Sequence, residues 1–317
     1  MTARAGLDPI LQRALQAFPY RLLGDEGVDD ARRRLRELRA RVPEDRLPKT
    51  RVDNRRLDIG PAGEIAVRIY RPLEDRGPAP LLMFFHGGGF AIGDLDTHDA
   101  PARQHCVGTG AVVVSVDYRL APEHPYPAAI EDAWAATRWA AEHAAELGAD
   151  PDRIAVAGDS AGGTIAAVMT QLARDAGGPA MLFQLLWYPA TVWDLSLPSV
   201  DENANAPILD REALERFRDW YAGHVDLSDP PTTAAPGRNP DLSGLPPAYI
   251  AVAGHDPIRD EGIQYAELLR SAGVPVELSN AETLVHGFIT FSGAIPAATR
   301  ATDLGVAALR AALHGDR

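Results

Sequence analysis

Five short apolar runs constrain this chain more than any other feature. They lie at residues 81–85, 111–116, 154–157, 181–186 and 248–253, and they are almost unbroken by polar residues. Runs this short, rich in Val, Ile and Phe, belong to strands buried on both faces. Between and after them lie stretches with helical spacing, at 128–147, 161–176, 259–272 and 296–313. Strands alternating with helices specify a mainly parallel sheet covered on both sides, so the fold class is α/β. Residues 65–70 alternate instead, as a half-exposed strand does.

Two regions depart from that rhythm. In residues 1–48, Leu11, Ala14, Leu15 and Phe18 fall three and four apart, the spacing of an amphipathic helix. A second helix is expected from Asp29 to Arg41, closed by Pro43 and Pro48. Its arginines, Arg32, Arg33, Arg34, Arg36, Arg39 and Arg41, are expected on a solvated face laced with acid pairs. From residue 190 the sequence turns rich in Pro, Asp and Asn and carries Trp193, Phe217, Trp220 and Tyr221. It is long for a simple connection, so we expect an insertion with its own helix near 210–224. The chain therefore divides into 1–48, 49–189, 190–230 and 231–317. Its 317 residues suggest about two domains by length alone, and one α/β domain with additions fits equally well.

One stretch, RIAVAGDSAGGTIAAVM, carries the chemistry. A β-branched run ends at Gly158, Ser160 follows, and small residues open a helix. This is G-x-S-x-G in a strand–turn–helix setting, where the sharp turn holds the serine hydroxyl above the sheet edge. Gly158 and Gly162 relieve the crowding that side chains would cause there. Nine serines in a chain with 28 glycines give roughly 0.07 such matches by chance. The phosphate-binding alternatives G-x-x-x-x-G-K-[ST] and G-x-G-x-x-G are absent.

A serine hydroxyl needs a base to take its proton and an acid to orient the base. In strand–turn–helix elbows of this kind the chain order is serine, acid, histidine. PPAYIAVAGHDPIRDEG supplies a strand and then Asp256 in the following turn, whereas Asp260 falls inside the next helix. VPVELSNAETLVHGFITF supplies one more strand and then His286 before Gly287. His224, His255 and His314 fit less well: one lies in the insertion, one abuts the acid and one is in the tail. The glycines of LLMFFHGGGFAIGD let backbone approach a substrate closely. The N–H groups of Gly88 and Gly89, with that of Ala161, are the expected donors to an oxyanion. His86 is expected to brace this loop rather than act as a base.

Charge and composition exclude other classes. The net charge is 31 − 44 = −13, which repels nucleic acid and anionic lipid surfaces and disfavours strongly acidic substrates, without forbidding a local basic pocket. The single cysteine, Cys106, cannot close an intrachain disulfide and is expected as a small buried residue, compatible with a reducing cytosol. No apolar run reaches the 18 residues of a membrane span, and the N-terminal stretch lacks an unbroken apolar segment of the secretory kind. A soluble, cytoplasmic protein is expected. No H-E-x-x-H or comparable metal-ligand cluster is present.

HGGGF, DYRLAPEHPYPAA, GDSAGG, DPIRDEG and HGF occur here in the order of the hormone-sensitive-lipase family of α/β-hydrolase esterases, which the chain resembles over roughly residues 60–315. The resemblance implies an α/β-hydrolase fold and hydrolysis of small carboxylic esters without cofactor or metal. It assigns catalysis to Ser160, Asp256 and His286, and the oxyanion hole to Gly88, Gly89 and Ala161. It further implies a helical cap built from 1–48 and from the insertion at 190–230, over short- to medium-chain acyl substrates, and possible pairing into a homodimer. Under such a cap, Phe18, Trp193, Phe217 and Trp220 wall the acyl or alcohol pocket, or else pack the cap onto the core. Trp187 before Tyr188–Pro189, and TAAPG at 233–237, depart from the family pattern and are expected to narrow the acyl pocket. An amidase, thioesterase or deacetylase using the same triad stays open, since the chemistry up to the leaving group is shared. A ligand-binding receptor on a disabled scaffold fits poorly, because such proteins typically lose the serine or the histidine.

Overall fold

The apolar runs form the middle of one eight-stranded sheet, in the order β1-β2-β4-β3-β5-β6-β7-β8. The computed structural model describes residues 5–18, 20–23, 27–40, 42–74 and 77–315; Arg41 of the arginine-rich segment lies outside them. The strands are β1 (Arg51–Gly60), β2 (Gly63–Arg71), β3 (Ala79–Phe85), β4 (Val112–Asp117), β5 (Ala149–Asp159), β6 (Phe183–Trp187), β7 (Ala248–His255) and β8 (Val276–Val285). β1 and β2 pair antiparallel, as do β2 and β4, and every pairing from β4 through β3 to β8 is parallel.

Alternate residues of β3 go to opposite faces. Leu81, Met83 and Phe85 join one buried cluster, Leu82 and Phe84 the other. Both sets are fully buried, which is why the sequence shows a continuous apolar run rather than an alternation. The helices are α1 (Pro9–Ala17), α2 (Val28–Arg39), α3 (Asp99–Thr109), α4 (Ala128–Glu142), α5 (Ala161–Ala176), α6 (Pro198–Glu202), α7 (Arg211–Ala222), α8 (Arg259–Ser271) and α9 (Pro296–His314). α4, α5 and α8 cover the first face, α3 and α9 the second. α5 stops at Gly177 and α3 at Gly110, both in the left-handed conformation that glycine adopts without strain.

Three elements were not foreseen: β1, α3 and the short α6, Pro198–Glu202. β1 carries Arg51, Asp53, Arg55, Arg56 and Asp58 and buries only Leu57, because an edge strand needs one neighbour and a charged edge resists further pairing. α3 buries Pro101, Ala102, His105, Cys106 and Thr109, a mixture whose polar members hide the helical period.

The N-terminal segment meets the stretch between β6 and β7. Leu22 N–H donates to the Ile208 carbonyl at 2.8 Å, Arg21 bridges to Ile208 as an isolated parallel pair, and Arg21 forms an ion pair with Asp210. Asp210 also caps α7, accepting the Ala213 N–H at 2.9 Å. α2 is tied down by Arg32, whose guanidinium donates to the carbonyls of Ala91 and Ala121 and pairs with Glu123 at 2.7 Å.

Candidate active site

The C-terminal ends of β5, β7 and β8 bring three distant residues together. Ser160 stands between β5 and α5 with φ 56° and ψ −120°, outside the regions where side-chain-bearing residues are comfortable. Neighbouring glycines allow this turn. A Cβ on Gly158 would lie 2.1 Å from the Gly162 carbonyl oxygen, and one on Gly162 would lie 2.0 Å from that of Phe85. The Ser160 N–H donates to the Trp187 carbonyl at 2.8 Å, which fixes the turn to β6.

His286 follows β8 and Asp256 follows β7. His286 Nε2 lies 2.9 Å from Ser160 Oγ, and His286 Nδ1 lies 2.8 Å from Asp256 Oδ2. A carboxylate accepts, so Nδ1 carries the proton, and Nε2 of the neutral ring is left to accept from the serine hydroxyl. Asp256 is fully buried, and its other oxygen accepts the Ile258 N–H at 3.0 Å. Its carbonyl accepts from Asn203 Nδ2 at 3.1 Å, so the stretch between β6 and β7 also steadies the acid. Asn203 carried no motif by which sequence alone could find it.

The glycine loop after β3 stands beside the serine. Gly88 has φ +119° and Gly89 φ +59°; a Cβ on Gly89 would lie 2.3 Å from the Phe217 ring. Ala161 is the first residue of α5, so its N–H has no acceptor within the helix. The loop is braced from below. Gly87 N–H donates to Asp159 Oδ1 at 2.9 Å, and His86 Nδ1–H donates to the Gly87 carbonyl at 2.9 Å. His86 stacks on Tyr118 at 4.3 Å, and burial pushes its pKa down to about 4, so the ring is neutral. Burial opposes the charge of Asp159, but the His98 ring and the Gly87 N–H outweigh it and hold the carboxyl below its usual range.

Ser160 and His286 sit where two narrow chambers join. One is apolar, lined among others by Leu22, Gly89, Ala161, Trp193, Leu214 and Phe217, with Arg218 and Glu261 also at its wall. The other, called the polar chamber for its charged and hydroxyl-bearing residues, sets Tyr20, Arg39, His98 and Asp159 among Leu35, Leu38, Ile208 and Phe291. Each is a cavity of about 50 Å³. Glu261 is buried, and its Oε2 accepts the N–H groups of Thr191, Val192 and Trp193 at 2.6, 3.0 and 3.2 Å. It thereby shapes the segment that presents Trp193, whose φ is +57°.

Of the aromatic residues expected around the pocket, Trp193 and Phe217 line it and three do not. Phe18 is 73% exposed: it follows the last turn of α1 and points to solvent. Trp187 is fully buried on the far face of the sheet, against Gly305 of α9, Tyr249 and Phe288, with Nε1–H donating to His105 Nε2 at 3.1 Å. Adjacent strand residues face opposite ways, and Trp187 takes the side away from the chambers. Trp220 stands behind Phe217, edge-on at 6.0 Å, with the Arg216 guanidinium 5.1 Å above its ring. Arg39 also departs from expectation, since it faces the polar chamber rather than solvent.

A mostly parallel sheet of this order, with a strained serine after its fifth strand and a histidine and carboxylate on neighbouring strand ends, defines an α/β-hydrolase. A family model described as alpha/beta hydrolase fold matches residues 82–290. The chain is 62% identical over 314 residues to the esterase LipI of Mycobacterium tuberculosis, spanning 98% of this chain and 97% of that one. It is 57% identical over 315 residues to carboxylesterase NlhH of the same organism, spanning 98% of each. The crystal structure of DphMB1, 58% identical, superposes with a TM-score of 0.91 over 98% of this chain and all of that one. The chain belongs to the hormone-sensitive-lipase family of α/β-hydrolase carboxylesterases.

No helix among the described residues is long and apolar enough to cross a membrane.

Proposed function

We propose that this chain hydrolyses short- to medium-chain acyl esters through a covalent acyl-enzyme on Ser160. The observation that carries the proposal is the buried relay Asp256–His286–Ser160, at 2.8 and 2.9 Å, ending on a strained serine at the junction of two chambers. Neutral His286 takes the Ser160 proton as the oxygen attacks the ester carbonyl, while Asp256 holds the ring and stabilises the imidazolium that forms. The N–H groups of Gly88, Gly89 and Ala161 receive the oxyanion. His286 returns the proton to the departing alcohol, and water then cleaves the acyl-enzyme by the same base.

The apolar chamber, with Trp193 and Phe217 in its wall, takes the acyl chain, and the polar chamber takes the alcohol. Residues 1–48 and 190–230 act as the cap, supported by Leu22 on one and Phe217 on the other. A homodimer through the outer edge of β8 or through α9, where Leu304 is exposed, belongs to the same proposal; a monomeric mass in solution removes that part. The lone, buried Cys106 supports a cytoplasmic location.

The test is hydrolysis of nitrophenyl esters from acetate to palmitate by wild type and Ser160→Ala side by side. Wild type is expected to favour the short esters and fall off towards palmitate, and the variant to lose about 10⁴-fold or more in kcat. An undiminished variant removes Ser160 from the mechanism. A wild type inert on every ester, but active on thioesters or amides, moves the same triad to another acyl bond.

A further inference from the structure

The polar chamber holds a cation that the hydrolytic relay does not use. Arg39, at the end of α2, enters it from the N-terminal segment. Its hydrogen bond among the described residues is a long one, from Nη1 to the Thr290 carbonyl at 3.4 Å. Its Nε is buried with no hydrogen-bond partner, and among the described residues no carboxylate lies within 4.0 Å of it. The Tyr20 hydroxyl, in the same chamber, is likewise buried and unpaired.

Such an arrangement is costly unless these groups are matched. A guanidinium presents five N–H donors, and each buried polar group left unmatched carries a desolvation penalty. Burial lowers the pKa of Arg39, the direction expected of a cation lacking a counter-ion at contact distance. The other charged and titratable groups around the chamber are already engaged. Asp159 accepts from Gly87 and lies 3.6 Å from His98 Nε2, Asp256 holds His286, and Arg34 donates to the carbonyls of Arg21 and Leu22. A planar fork beside a phenol is suited to a carboxylate, which can accept from both.

We infer that Arg39 and Tyr20 form a recognition subsite for a carboxylate on the alcohol half of the ester, so that the preferred substrates are short-chain acyl esters of carboxyl-bearing alcohols or phenols. This deepens the proposed esterase function and rests on it. A neutral ester occupies the same chamber but leaves the guanidinium unmatched. The net charge of −13 makes the approach of such a substrate unfavourable at long range, so selection acts through contact inside the chamber rather than through steering.

The experiment compares phenyl acetate with 3-acetoxybenzoate, which share an acyl group and differ by one carboxylate. The ratio of their kcat/KM values is measured for wild type, Arg39→Gln, Arg39→Lys and Tyr20→Phe. The charged-to-neutral ratio is expected to fall tenfold or more in Arg39→Gln, less in Arg39→Lys, and a few-fold in Tyr20→Phe. With the unaltered protein, benzoate is expected to compete with substrate at lower concentration than benzamide does. A ratio unchanged within twofold in Arg39→Gln overturns the inference. So does a wild type that cleaves phenyl acetate but not 3-acetoxybenzoate, or one that benzoate and benzamide inhibit alike. If wild type cleaves neither ester, the esterase proposal itself fails, an outcome distinct from the others.

Discussion

Five residues other than glycine take a positive φ among the described residues: Phe90, Ser160, Tyr188, Trp193 and Ile208. Four of them line the two chambers, and the fifth, Tyr188, packs its ring 4.7 Å from that of His286. Each such conformation costs of order 1–3 kcal/mol, and strain of this kind persists only where the surroundings over-determine it. Here the surroundings do so through backbone contacts: the Ser160 N–H on the Trp187 carbonyl, and the Glu261 carboxyl beneath residues 191–193. At this scale the most direct prediction concerns Asp256. Asp256→Asn keeps the shape of the acid but offers an amide to His286 Nδ1, favouring the tautomer with its proton on Nε2. That ring cannot accept from Ser160. We expect kcat to fall about 10⁴-fold, and single-turnover kinetics to place the loss in acylation. A loss below tenfold would show that the ring is oriented by something else.

Among elements, the two tryptophans Trp187 and Trp193 separate substrate choice from stability. Trp193 and Phe217 stand in the apolar chamber, whereas Trp187 plugs the opposite face against α9. Phe217→Ala should raise the ratio of octanoate to acetate hydrolysis, since it removes a wall of the narrow apolar chamber. Trp187→Phe should leave that ratio alone and lower stability by about 1–3 kcal/mol, because it strands the buried His105 Nε2 without its donor. Chain-length profiles and thermal melts on both variants check the pair; a shifted profile in Trp187→Phe would contradict it. The same elements mark how far the sequence could be read. The strands β2 to β8, the helices α4, α5, α7, α8 and α9 and the places of Ser160, Asp256 and His286 were legible, because apolar runs, helical spacing and the strand–turn–helix glycines are local signals. β1 was not legible, since an edge strand tolerates charge, nor was α3, whose buried His105 and Thr109 break its period, nor α6, which is too short to show one. The pocket walls were legible only by residue type. Aromatic character told nothing about side-chain direction, so Trp193 and Phe217 could not be told from Phe18, Trp187 and Trp220, and the arginines of α2 gave no sign that Arg39 turns inward.

For the whole molecule, Glu261 couples stability to pH. Burial outweighs its three N–H donors and raises its carboxyl from 4.5 to about 7. Between those values the folded protein keeps a proton that the unfolded chain has released, so this group favours the folded state less and less as pH climbs through the window. Glu261→Gln has no such proton. The melting temperature of wild type relative to Glu261→Gln is therefore expected to drop by several degrees from pH 4.5 to 7.5, and a constant difference would refute the coupling. The molecule is also divided by where its parts come from. Ser160, Asp256, His286 and the glycine loop hang from the ends of central strands, while Leu22, Arg39, Leu214 and Phe217 reach the site from segments outside the sheet. A change at those four side chains is expected to alter which ester is admitted without disturbing the strand ends, or Asn203, that hold Ser160, His286 and Asp256 together. Selectivity can thus drift through many sequences while the chemistry stays fixed, and a lineage built on this scaffold can acquire new substrates by small steps that each leave a working hydrolase.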